Sequence, residues 1–356
     1  MIALVDETKI KRTLASHGPV WRRPRAMLER WLARVGEDAS PAEPVASLEE
    51  RIASLLGKPA ALFFPSGTMA QQVALRVHAE RSGRRTFAAH PYTHLDNWEE
   101  QGYAAVHGLR FRPVGDRNEL MRLADLEAVG EPLAAVVWEL PQRDLGGVLP
   151  AWDELAAQVG YARSRGAAAH VDGARLWEAQ PFYGTEFPKI AGLFDSVYVS
   201  LYKGLQGVRG AVLAGDEALV GEAAVWRRRL GGAIPDAWPL AVAALEGLES
   251  LLPRMPEFHA HARALVTAIK RDGVAYAYPD PPQAGMFHVH LPAPKAAVER
   301  AAEELIDEKG VQLFLRVRSS PDPRRCSFEV SVGENAMDFP PEEVVSLLHE
   351  LLDRAR

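Results

Sequence analysis

The chain has 356 residues, 47% hydrophobic and 25% charged, a formal net charge of −6 and a single cysteine, Cys326. This length supports a sizeable core and favours one large and one smaller domain. One cysteine excludes an intrachain disulfide framework and any multi-cysteine metal site; the acidic balance disfavours nucleic acid, and no apolar run approaches the ~20 residues of a membrane-spanning helix.

The segment Met1 to Lys11 alternates charges with short apolar pieces and lacks an apolar core followed by a small-residue cleavage site. A signal peptide is therefore not expected, and a cytoplasmic location is the default. In chain order, helical periodicity opens in RAMLERWLARVG (25–36) and returns in PVASLEERIASLLG (44–57), where Ser47 and Glu50 have capping-box spacing and Gly57 reads as a helix stop. Strand-like runs then alternate with helix-like segments: ALFF (61–64), a helix from Gly67, TFAAH (86–90), RFRPV (110–114), LAAVVWEL (133–140), a helix from Trp152 to Ser164, AAAHVD (167–172), SVYVSLY (196–202) and GAVLAG (210–215). Such alternation predicts an α/β fold with a mostly parallel sheet covered on both faces.

After RRRLGGAIPDAWP a long helical stretch, 238–270, precedes MFHVHLP, a helix over 294–309, VQLFLRV, CSFEVSV and a helix over 340–354. Fewer strands with helices to one side predict a small α+β domain. The expected organisation is an N-terminal segment (1–45), a large domain (46–235), and an inter-domain helix with a small C-terminal domain (236–356).

Three features in the large domain bear on chemistry. Ser66-Gly67-Thr68 lies between a strand and a helix, where free N–H groups and the positive end of the helix dipole suit a phosphate; the same tripeptide is equally an ordinary N-cap. Asp172 ends an apolar strand with Arg175 close behind. A carboxylate there is costly unless paired, either with a protonated pyridine nitrogen or, in the bland reading, with Arg175 at a helix start. Lys203 follows the next strand and precedes a glycine-rich turn. Apolar neighbours and nearby cations lower the pKa of an ε-amine and favour the free base a Schiff base needs; the alternative is a solvated lysine. In conjunction, a phosphate donor, a pyridinium partner and a Schiff-base lysine are the three handles that hold pyridoxal 5′-phosphate (PLP).

The texts LEERIASLLGKPAALFFPSGTMAQQVAL, HLDNWEEQGYAAVHG, ELPQRDLGGVLPAWDEL, HVDGARLWEA and DSVYVSLYKGL together resemble the PLP-dependent threonine aldolase and β-eliminating lyase family, of the aspartate-aminotransferase fold type, fold type I. The resemblance implies a seven-stranded-type sheet between helices in the large domain. It implies that Lys203 holds the cofactor, that Asp172 partners the pyridine nitrogen, that Ser66, Gly67 and Thr68 hold the phosphate, and that His94 stacks on the ring and can pass a proton. His90, by contrast, reads as structural. Arg175 resembles the binder of the substrate carboxylate, which decides which Cα bond stands perpendicular to the ring.

The resemblance also implies a homodimer or homotetramer with active sites at the dimer interface, to which the N-terminal segment contributes and where Arg229 reaches a neighbour's phosphate. Several positions depart from the family pattern: SHGPV replaces the usual Ser-Asp-Thr, leaving Ser16 or His17 as the candidate wall residue; Tyr202 stands where serine is common; Leu140 replaces an asparagine. Arg325 aligns with a second carboxylate-binding arginine, although Glu329 replaces the histidine that follows it. The expected activity is aldol cleavage of threonine-like or bulkier β-hydroxy-α-amino acids. β-Elimination on another amino acid and a low-turnover PLP-binding or ligand-sensing role are the competing readings. A nicotinamide oxidoreductase is disfavoured because no strand leads into a G-x-G-x-x-G turn. No metal site is expected.

Overall fold

The structure, a computed structural model, describes residues 7–15, 17–18, 24–36 and 40–356. The elements in order are β1 (Arg12–Thr13), α1 (Pro24–Leu32), α2 (Glu43–Leu56), β2 (Ala60–Phe64), α3 (Gly67–Ser82), β3 (Thr86–Ala89), α4 (His94–Asn97), α5 (Gly102–Ala105), β4 (Arg110–Pro113), α6 (Leu123–Glu127), β5 (Ala135–Glu139), α7 (Trp152–Ser164), β6 (Ala168–Gly173), α8 (Leu176–Tyr183), α9 (Phe187–Ala191), β7 (Ser196–Ser200), β8 (Ala211–Gly215) and α10 (Glu217–Arg229). They continue with α11 (Trp238–Ser250), α12 (Met255–Asp272), β9 (Tyr276–Tyr278), β10 (Met286–Leu291), α13 (Lys295–Lys309), β11 (Val311–Gln312), β12 (Val317–Ser319), β13 (Cys326–Ser331) and α14 (Pro341–Arg354). No helix among the described residues is long and apolar enough to cross a membrane.

The chain divides into two compact units, one of residues 31–253 and one joining residues up to Arg30 with 254–356. In the larger, seven strands run in the order β2-β8-β7-β6-β5-β3-β4, with β8 antiparallel to both neighbours and the other pairings parallel. The strands are short apolar runs because their side chains are covered on both faces; β3, β7 and β8 are buried throughout. On one face Val73, Ala74 and Val77 of α3 join Leu62 and Phe64 of β2, Leu213 of β8 and Leu219 of α10. Each of the valine, leucine and phenylalanine side chains contributes roughly 1.5–3 kcal/mol when fully buried.

In the smaller unit β12-β13-β10-β9 form an antiparallel sheet, and β1 pairs in parallel with β11. The run VQLFLRV is thus not one strand: its first residues pair with β1 and its last with β13, in different sheets. The stretch 238–270 is likewise two helices, broken at a 3-10 turn over Leu252–Arg254 that contains Pro253, which lacks the N–H an interior position requires.

The capping box expected at Ser47 and Glu50 is absent. Pro44 occupies the first turn of α2, where a fixed φ is preorganised, so the helix starts earlier with Ala42 as N-cap and Ser47 lies inside it. Gly57 does end α2, at φ +61. The larger unit runs on past residue 235, where the sequence places the domain change, through α11 to Pro253, because α11 packs against α2 and buries Ala241, Ala244 and Leu248.

Beneath the sheet's carboxyl edge, Ser196 Oγ lies 2.7 Å from both His78 Nε2 and His170 Nδ1, a buried network joining α3 to β6 and β7. Burial pushes His78 down to about 4 and His170 to about 3. The unfolded chain protonates these rings near 6.5 and the folded protein well below it, so stability falls as pH drops from 6.5 toward 4. One such ring contributes a slope of about 1.4 kcal/mol per pH unit. Unfolding free energy of wild type minus that of His78→Gln is expected to shrink across this window; parallel curves would contradict the neutral, buried histidine.

Candidate active site

Three neighbouring parallel strands bring charged side chains to one edge of the sheet. Register places Glu139 at the end of β5 beside Asp172 on β6, and Asp172 beside Tyr198 on β7. Asp172 is 3% exposed; Gln71 Nε2 of α3 donates to its Oδ2 at 2.9 Å and the Ala174 N–H to its Oδ1 at 3.0 Å. These donors offset part of the cost of burying the carboxylate. Glu139 accepts from Gln142 Nε2 at 3.0 Å and the Arg143 N–H at 3.2 Å. Burial, then the proximity of Asp172 and Asp144, pushes its carboxyl well above the usual range. Arg175, buried at the N-cap of α8, has Nε 4.0 Å from Glu178 Oε2.

Lys203 lies in the turn that joins β7 to β8. The Gln206 N–H donates to Lys203 O at 2.8 Å, the Gly207 N–H to Leu201 O at 2.9 Å and the Leu201 N–H to Gly210 O at 3.2 Å. A Cβ on Gly207 would meet Leu201 O at 2.6 Å, and Gly210 sits at φ +107, so glycine is required at both. Gln206 adopts φ +54, a left-handed conformation uncommon outside glycine. From outside, α11 crosses so closely that a Cβ on Gly247 would run into Leu205 O. The glycines after Lys203 fold the turn tightly and let α11 seal it. Burial, then the Arg175 cation, lowers the Lys203 amine to about 8, against the opposing pull of Asp172 and Glu139.

The phosphate candidates open α3. Ser66 Oγ accepts from the Met69 N–H at 3.2 Å as a true N-cap, with Gly67 and Thr68 at the tip of the first turn. Gly67 is fixed by space: the Tyr198 hydroxyl stands where a Cβ would project. His94 opens α4, one-third exposed, with Nδ1 3.1 Å from Oε1 of the buried Glu99, whose Oε2 accepts from Gln72 Nε2 at 3.0 Å. A carboxylate only accepts, so Nδ1 carries a hydrogen and Nε2 is left for other work. His90 is structural: Nε2 donates to the carbonyls of Asp116 and Glu119, and Nδ1 accepts from the Tyr92 N–H.

Lys203, Asp172, Glu139 and Arg175 therefore act on one another electrostatically, with Gln71 linking Asp172 to α3. Arg229 ends α10 with its guanidinium 4.7 Å over the Trp226 ring. Arg325, in the smaller unit, is exposed and lines a surface pocket with Tyr276 and His290. Ser16 lies outside the described residues. Sequence reasoning missed Glu99, Gln71 and Gln72; the consecutive glutamines between apolar Met69-Ala70 and Val73-Ala74-Leu75 were the available signal.

The amine fraction of a lysine rises about tenfold per pH unit below its pKa. Uptake of an aldehyde reagent by the cofactor-free protein, followed by absorbance, is therefore expected to quicken up to about pH 8 and then level off. A midpoint near 10.5 would mean that Lys203 is an ordinary solvated lysine.

The family model described as Beta-eliminating lyase matches residues 24–292. The low specificity L-threonine aldolase of Escherichia coli (strain K12) is 32% identical over 280 residues, covering 71% of this chain and 78% of that protein. The crystal structure of a candidate L-allo-threonine aldolase from Listeria monocytogenes EGD-E superposes with a TM-score of 0.90 at 34% identity, over 98% of this chain and 97% of that one. A candidate aromatic amino acid β-eliminating lyase/threonine aldolase from Exiguobacterium sp. 255-15 superposes with a TM-score of 0.88, also at 34% identity, over 98% and 99% of the two chains. With the family model matched over most of its length and its neighbours similar across nearly all of it, the chain belongs to the PLP-dependent threonine aldolase and β-eliminating lyase family.

Proposed function

We propose that the protein is a PLP-dependent aldolase that cleaves the Cα–Cβ bond of β-hydroxy-α-amino acids to glycine and an aldehyde. The observation that carries this reading is the set of buried Asp172 and Arg175 with half-buried Lys203 at one edge of the sheet, in a chain of this family. The residues present fit the cofactor: an amine with a lowered pKa, a buried carboxylate held by two donors, and a helix start where the absent Cβ of Gly67 lets Tyr198 pack beneath the first turn. When bound, PLP supplies the electron sink for the pair released as the Cα–Cβ bond breaks.

The chain's own residues do the rest. Lys203 supplies the amine that holds the cofactor covalently, Asp172 accepts from the ring nitrogen, and Ser66, Gly67 and Thr68 take the phosphate. The Arg175 guanidinium anchors the substrate carboxylate and so selects the bond to be broken. His94, its Nδ1–H given to Glu99, would cover the ring and has Nε2 to take the β-hydroxyl proton. Arg325 and Ser16 are proposed as further substrate contacts, and Arg229 as a phosphate contact across a homodimer or homotetramer interface. A cytoplasmic amino-acid enzyme is the setting that accords with these roles.

The test is product analysis of the PLP-loaded protein with separate L- and D-threonine and phenylserine isomers, beside Lys203→Ala. Glycine and aldehyde from one enantiomeric series, abolished in the variant, are the expected result. Keto acid and ammonia would replace the aldolase with an eliminating lyase, and a yellow protein without turnover would indicate a binding role.

A further inference from the structure

We infer that Gln71 is a positioning residue that sets the grip of Asp172 on the cofactor's ring nitrogen; the inference rests on the function proposed above. Of the two donors to Asp172, the Ala174 N–H belongs to the chain immediately after the aspartate and moves with it. Gln71 is the donor that comes from a different element. It stands one helical turn beyond Gly67 and Thr68 on α3, the helix whose start takes the phosphate in the proposed function. One rigid helix thus addresses both ends of the cofactor, the phosphate through its first turn and the ring through Gln71 and Asp172.

Two further observations support this. First, α3 is tied to the sheet by a second polar rung: His78, on the same helix face as Gln71, meets the Ser196 hydroxyl that His170 shares, and His170 lies on the same strand face as Asp172. The two rungs fix the helix against β6 along and across the strand, so the amide of Gln71 is brought to the carboxylate by position rather than by chance rotation. Second, Gln71 is 2% exposed and its Oε1 has no hydrogen-bond partner among the described residues. A buried, unpaired carbonyl on a helix that buries Ala70, Ala74 and Leu75 around it destabilises the fold. Packing alone would be better served by methionine or leucine of similar volume. The amide therefore serves Asp172, and the protein tolerates its idle oxygen to keep the donor.

The experiment compares wild type, Gln71→Met and Asp172→Asn as PLP-loaded proteins, with three readings: the PLP dissociation constant, the pH midpoint of the visible absorption band, and the melting temperature. Gln71→Met is expected to weaken PLP binding roughly tenfold, because an Asp172 carboxylate no longer held from α3 must be ordered toward the ring nitrogen as the cofactor binds. The band midpoint should move to higher pH, because a less firmly held ring-nitrogen proton withdraws fewer electrons from the lysine-bound nitrogen. Cofactor-free Gln71→Met should melt somewhat lower than cofactor-free wild type, because buried Asp172 loses one of its two donors. Asp172→Asn should shift binding and midpoint further in the same directions. If Asp172→Asn shifts both while Gln71→Met matches wild type in both, the role of Gln71 is overturned and the proposed function stands. A lowered melting temperature with an unmoved midpoint makes Gln71 a packing residue and likewise overturns it. A wild type that takes up no PLP removes the proposed function, and this inference with it.

Discussion

Everything at the sheet's carboxyl edge depends on burying opposite charges together. Three adjacent strands and the turns that follow them bury Asp172 and Arg175 and half-bury Glu139 and Lys203, where an unpaired charge would be costly. Their mutual field explains why the charges are unequal. Each carboxylate accepts from two donors, but burial and the proximity of Asp172 and Asp144 push Glu139 toward its protonated form, since two adjacent carboxylates do not both ionise at low cost. Arg175 and burial together strip Lys203 of its proton more easily than water would. The electrostatics that make the site costly to fold are those that make the amine reactive.

The backbone around Lys203 meets the same constraint by geometry. A lysine in a loose turn would swing into solvent and recover its hydration. Here Gly207 and Gly210 tighten the turn, Gln206 accepts a left-handed conformation within it, and Gly247 lets α11 press on Leu205 from outside. Trp177 of α8 adds a hydrogen bond from Nε1 to Ser200 O at the end of β7. Substitution at these positions would act on the chemistry without touching a ligand, through the placing of one amine.

The residues legible in the sequence were those whose neighbours in the chain are also their neighbours in space. Lys203 before its glycines, Asp172 at the end of an apolar strand, and Ser66-Gly67 at a strand-to-helix junction each carry their context within a few positions. Glu99, Gln71 and Gln72 do not: Gln72 meets Glu99 and Gln71 meets Asp172 across long stretches of chain, and a glutamine on a helix reads as solvent-facing until its partner is known. Local rules also misled where they competed. Ser47 and Glu50 have capping-box spacing, but Pro44 starts the helix first. VQLFLRV has strand composition throughout, but its two ends are claimed by different sheets. The sheet order, with β8 the one antiparallel strand, could not be read from composition at all, because β7 and β8 have the same apolar character as their parallel neighbours.

The claim on which the rest stands is that Lys203 carries the cofactor. Borohydride reduction of the PLP-loaded protein, followed by digestion and mass spectrometry, reads this directly, since reduction makes the lysine–cofactor bond permanent. We expect a phosphopyridoxyl group on the peptide that contains Lys203 and on no other. The same group on a different lysine, such as Lys58 or Lys189, or on none, would contradict it.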